Sequence, residues 1–100
     1  MLIIKKDREN EKLVLFLEGR LDTTTAPELE KSLDESLEGV TELILDVEKL
    51  EYMSSAGLRV LLSTTKKMAG KGEMKVIHAG EVLMEIFEVT GFVDILNIEE

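Results

Sequence analysis

The stretch Glu42-Leu43-Ile44-Leu45-Asp46-Val47-Glu48-Lys49-Leu50-Glu51-Tyr52-Met53-Ser54-Ser55-Ala56-Gly57-Leu58-Arg59-Val60-Leu61-Leu62 carries two structural periods in succession. Its first six residues, Glu42 to Val47, are mostly aliphatic and read as a buried strand, central in its sheet. After Tyr52 the apolar spacing changes from two to about 3.6. Leu58, Leu61, Leu62, Thr65 and Met68 or Ala69 then share one face of a helix from about Ser55 to Ala69, which Gly70 and Gly72 stop. A strand that hands over to a helix in this way is the repeating step of an α/β fold.

The flanking sequence extends the alternation. Upstream, Lys12 to Glu18 (KLVLFLE) reads as a strand whose nearly unbroken apolar run predicts burial on both faces. Residues 2 to 5 form a shorter strand, and the polar Asp7 to Glu11 is a hairpin connection between the two. Thr25-Ala26-Pro27-Glu28 reads as a helix start, with Thr as cap, Pro tolerated in the first turn and Glu completing a capping box. Leu29, Leu33 and Leu37 make the apolar stripe of that helix, and Gly39 ends it. Downstream, Met74 to His78 is a fourth strand, and Val82, Leu83, Ile86 and Phe87 mark a third helix ending at Gly91. Phe92 to Ile98 is apolar but of undecided type. The order is β-β-α-β-α-β-α plus a C-terminal segment, an α/β fold with a mixed β-sheet, an N-terminal hairpin and helices packed on the sheet. Periodicity does not decide whether the helices lie on one face or both.

The totals bound the function. One hundred residues, 44% apolar and 33% charged, predict one domain spanning residues 1–100 with an aliphatic core. Without cysteine there is neither a disulfide framework nor a thiolate metal site. The apolar start Met1-Leu2-Ile3-Ile4 is too short for a secretion signal, no run reaches membrane-spanning length, and a cytoplasmic protein with no membrane association is expected. A net charge of −9, from 21 acidic and 12 basic residues, repels polyanions, so direct nucleic-acid binding is not expected. Lys66, Lys67 and Lys71 form a basic group about the end of the second helix, where Lys66 and Lys67 complement its dipole.

Single residues have plain structural readings. Ser54 or Ser55 can cap the second helix, a contribution of about 1 kcal/mol. Asp22 suits a turn, Asp46 a strand end, and the lone His78 lacks the companions a metal ligand needs. Gly57 is a first-turn residue whose missing side chain would keep the surface bare for an approaching partner. Glu81, Glu85 and Glu88 form a solvated helix face. Ser55, His78 and an Asp could be imagined as a hydrolase triad, but no Gly-x-Ser-x-Gly elbow accompanies them, and no Gly-x-x-x-x-Gly-Lys-[Ser/Thr] phosphate loop exists. No catalytic residue, cofactor or metal is assigned, and the chain is expected not to be an enzyme.

The segment Leu45 to Leu62 closely resembles the signature of STAS domains, the sulphate-transporter and anti-sigma-antagonist family. Glu18-Gly19-Arg20-Leu21-Asp22, followed by a Thr and an Ala-Pro helix start, resembles the family's other motif, and the resemblance covers essentially all 100 residues. It implies an anti-sigma-factor antagonist that regulates transcription by partner switching. The unphosphorylated form would bind an anti-sigma factor that is itself a serine kinase and so free a sigma factor. Phosphorylation of a serine at the second helix would release the partner, and a serine phosphatase would reverse it. Aligned through Gly57 and Leu58, the acceptor falls on Ser55, with Asp22, Ser54, Gly57 and Leu58 as its supporting and partner-binding residues. Where the family often reads Asp-Ser-Ser or Asp-Ser-Thr before the glycine, this chain reads Ser54-Ser55-Ala56, which makes Ser54 a second candidate acceptor. The other reading the resemblance allows is a non-switching STAS scaffold or subunit of a transport or stress-signalling complex, with Ser55 only a cap.

Overall fold

The computed structural model describes residues 1–99. In chain order the elements are β1 (Leu2–Glu9), β2 (Lys12–Leu21), α1 (Ala26–Ser36), β3 (Glu42–Met53), α2 (Ser55–Met68), β4 (Glu73–Ile77), α3 (Glu81–Thr90), a single 3-10 turn (Phe92–Asp94) and β5 (Ile98–Glu99). The strands form one sheet in the order β1-β2-β3-β4-β5. β1 runs antiparallel to β2, and every later pair is parallel. The mixed sheet and its hairpin follow the sequence expectation, and β3 is the central strand.

Strand order rises monotonically from β2 to β5, and right-handed crossovers taken always in the same direction return every helix to the same face. One core results: Leu13, Leu15 and Leu17 of β2 and Leu43, Leu45 and Val47 of β3 meet Leu29 and Leu33 of α1, Leu61 of α2 and Phe87 of α3. The question left open by periodicity is thereby answered. It also overturns the double burial expected for KLVLFLE. Leu13, Leu15 and Leu17 are buried, but Phe16 points to the bare face and is 41% exposed.

β2 runs to Leu21 rather than Glu18, β4 spans Glu73–Ile77 rather than Met74 to His78, and the larger differences from the sequence reading have physical reasons. β1 reaches Glu9 rather than residue 5, because an edge strand needs no apolar residues to keep its ladder; only Asn10 and Glu11 form the turn, with Asn10 left-handed at φ 57°. The 92–98 segment resolves into the 3-10 turn and the short β5. β3 runs six residues past Val47. Its partner β2 is crossed by register shifts between Phe16 and Glu18 and between Gly19 and Arg20, so β3 spends an extra residue at each. A bulge resets the alternation, which is why Val47, Leu50 and Met53 are buried at a spacing of three. Asp46, 9% exposed, fixes the first bulge: its Oδ1 accepts the Glu48 amide at 3.1 Å, and its Oδ2 lies 3.0 Å from Nδ1 of His78. His78 closes β4 in a left-handed conformation, φ 62°. No helix among the described residues is long and apolar enough to cross a membrane.

Candidate functional site

β2 and β3 end side by side. Leu21 is in register with Met53, and the Leu21 carbonyl accepts the Ser54 amide at 2.8 Å. Two helix starts are thus brought together at one end of the sheet, with Asp22 one residue beyond Leu21 and Ser55 one residue beyond Ser54. Arg20 and Tyr52, also in register, complete the floor, the guanidinium 4.7 Å from the ring centroid.

The α1 side is densely bonded. Asp22 Oδ1 accepts the amides of Thr24 at 3.0 Å and Thr25 at 3.1 Å. The Thr25 hydroxyl donates to the Arg20 carbonyl at 2.8 Å, with Asp22 Oδ1 also at 3.2 Å, and accepts the Asp22 amide at 2.9 Å. The Thr25 amide is the main cause that holds the Asp22 carboxyl below its ordinary value of 3.8; partial desolvation opposes it and the Thr24 amide adds to it. The expected capping box does not form. Thr25 is already helical (φ −98°, ψ −18°), so its hydroxyl faces back into the loop and Glu28 has no cap to complete.

The α2 side is its opposite. Ser54 takes the extended conformation of an N-cap (φ −89°, ψ 177°), yet its side chain makes no capping bond. Its Oγ is buried and, among the described residues, without a hydrogen-bond partner. Ser55, the first helical residue, is exposed. No acidic residue stands in the first turn, which leaves the helix's free amides and positive dipole end uncompensated.

Gly57 corrects the expectation of surface access. It is buried, and a Cβ there would lie 2.7 Å from Cγ of Leu21 and 2.9 Å from Cγ of Met53, so the glycine lets α2 press onto the strand ends. Leu58 is likewise a core residue, 5% exposed. It reaches the surface only as the floor of a groove between α2 and α3. Tyr52, Ser55, Val82, Ile86 and Val89 line that groove, with Val82 57% and Val89 81% exposed. Val82, one of the four apolar residues that mark the third helix in the sequence, thus faces the groove, while Leu83 and Phe87 are buried.

The structure therefore gathers Asp22, Ser54, Ser55, Gly57 and Leu58 at one end of the sheet. It does not gather the imagined triad: His78 pairs with Asp46, and the strand from Asp46 to Met53 separates that pair from Ser55 by about 20 Å at 3.3 Å per residue. The Asp46 and His78 pairing and the α2–α3 groove escaped the sequence reading. A buried carboxylate in the middle of ELILDV was the available signal for the first; Val82 and Val89, seven apart on one helix, were the signal for the second.

The STAS domain profile matches residues 3–100. The anti-sigma-B factor antagonist of Listeria monocytogenes is 30% identical over 97 residues, spanning 94% of this chain and 84% of that protein. A crystal structure of an anti-sigma factor antagonist from Mycobacterium paratuberculosis superposes with a TM-score of 0.89 at 21% identity, over 98% of this chain and 85% of that one. The Bacillus cell fate determinant SpoIIAA in its phosphorylated form superposes with a TM-score of 0.75 at 19% identity, over 98% and 92%. With the profile matched almost from end to end, and with the sheet, the hairpin and the three helices shared, the chain belongs to the STAS domain family.

Proposed function

We propose that this protein is an anti-sigma-factor antagonist of the cytoplasm that works by partner switching, with Ser55 as the switch. The observation that carries the reading is the placement of Ser55: an exposed residue on the first turn of α2, at the rim of an apolar groove whose exposed valines have no cover among the described residues. Its relative in Listeria monocytogenes is named for antagonism of an anti-sigma factor. The unphosphorylated form binds an anti-sigma factor serine kinase across this end of the sheet and so frees a sigma factor. The Ser55 oxygen then attacks the γ-phosphorus of the kinase's ATP, the bond to the β-phosphate oxygen breaks, ADP leaves, and the hydroxyl proton passes to a base of the kinase. A phosphate at the helix start brings a charge of about −1.5 to −2 into an interface where it must be desolvated, and the partner is released. A serine phosphatase restores the hydroxyl. The protein itself supplies a docking surface and an acceptor, and no catalytic group.

Incubation with such a kinase and ATP·Mg, followed by mass spectrometry, tests the reading. A single phosphate on Ser55, absent from Ser55→Ala, is expected. Phosphate on Ser54, or full phosphorylation of Ser55→Ala elsewhere, would refute the assignment. Failure of the kinase to bind or modify the chain at all would favour a non-switching scaffold.

A further inference from the structure

Arg59 stands four residues beyond Ser55 on α2, so the two side chains share one face of the helix, and both residues are exposed. Among the described residues the Arg59 guanidinium makes no ion pair and no hydrogen bond. Of the nearby basic residues, Lys67 pairs with Asp34 at 2.6 Å and Arg20 lies over Tyr52, whereas Lys66, seven residues on, is exposed and makes no ion pair among the described residues. Glu30 of α1 lines the same hollow as Arg59 without pairing with it, the first turn of α2 holds no acidic residue, and among the described residues the buried Ser54 hydroxyl beside Ser55 has no acceptor for its hydrogen.

We propose that Arg59 is the positioning residue for the phosphorylated switch: a phosphate on Ser55 is held across one helical turn by the Arg59 guanidinium. The inference rests on the phosphorylation reading above and deepens it. An acidic group four residues N-terminal to a basic one is the favoured orientation for a helical pair, since both charges also suit the helix dipole. Guanidinium presents a planar fork of donors that matches two phosphate oxygens at once, and phosphate carries more charge than any carboxylate. The uncapped amides of α2 draw the phosphate inward from the other side. Phosphorylation would then lay the phosphate down on the first turn, at the groove rim, and would also withdraw Arg59 from any acidic group of the partner. One covalent event thus alters two contact points.

Phosphoserine introduced at position 55 during synthesis makes the test independent of any kinase. Followed by ³¹P resonance, the second ionisation of the phosphate is expected to lie about 0.3 lower in the parent chain than in Arg59→Gln, about a twofold change in proton affinity. Arg59→Lys should recover part of the difference, because it keeps the charge without the fork, and 1 M salt should shrink it. Unphosphorylated parent and Arg59→Gln should melt at the same temperature, which separates the pairing from any effect on folding. Equal ionisation in the phosphorylated parent and Arg59→Gln, at low salt, would overturn the proposal. A kinase that never modifies Ser55 would count against the functional reading and leave this titration as it is.

Discussion

The starts of α1 and α2 lie side by side at the ends of two paired strands, and they are built in opposite ways. At α1, one carboxylate and one threonine hydroxyl satisfy two loop amides, the Asp22 amide and the Arg20 carbonyl. At α2, Ser54 is in place to cap and does not, and among the described residues its buried hydroxyl is left without a partner. Good capping chemistry is present at both, so the difference is one of use. The α1 start is committed to holding the chain end in position, whereas the α2 start keeps its amides, its dipole and an exposed hydroxyl unengaged. An unsatisfied group costs stability, and it persists here at the end of the sheet that carries the apolar groove.

That contrast can be broken most severely through the packing beneath it. Gly57→Val should cost about 3 kcal/mol in urea unfolding, because the new side chain meets Leu21 and Met53 at distances no Cβ tolerates. A loss under 0.5 kcal/mol would restore the view that Gly57 serves access rather than packing. Asp22→Asn tests the committed side. The folded chain holds the Asp22 carboxyl below 3.8, so its stabilisation is complete at pH values above that of the unfolded group and disappears as pH falls through the folded value. The variant should melt lower than the parent at pH 7, and the two should begin to converge only below pH 3.8, as the pH falls toward and through the lowered folded value. A gap that stays constant with pH would mean that the charge on Asp22 is not what holds the loop. Smallest of all is Ser54→Ala. If Ser54 were a working cap, its loss would cost about 1 kcal/mol; with an unpartnered hydroxyl, removal should be neutral to within about 0.5 kcal/mol or slightly stabilising.

The same contrast separates what was legible in the sequence from what was not. Helix and strand identities followed from spacing: α2, expected from about Ser55 to Ala69, spans Ser55–Met68, and the stripe Leu29, Leu33 and Leu37 is buried as expected. Tertiary context decided the rest. Asp22 and Thr25 were each visible as turn or cap residues, but that they bond to each other instead of to the helix depends on backbone angles that residue identity does not dictate. The strand beyond Val47 was hidden because its two bulges turn a period of two into a spacing of three, which resembles neither element. Phe16 and Val82 show the limit of apolar patterning: both are the right residues for a core, and both face away from it, one on the bare side of the sheet and one on the groove. The gathering of Asp22 with Ser54 and Ser55 followed from the family motifs rather than from composition.

The role proposed for the open helix start at Ser55 is to gate partner binding. Calorimetric titration of Ser55→Asp and Ser55→Ala against the anti-sigma factor serine kinase tests it most directly. Asp is a good residue for a helix start, so both variants should keep the fold and differ only in the charge they bring to the contact. Ser55→Ala should bind as the parent does, while Ser55→Asp should bind roughly a hundredfold more weakly, as expected for a charge whose desolvation in the contact costs about 3 kcal/mol. Equal affinity of the two variants would contradict it.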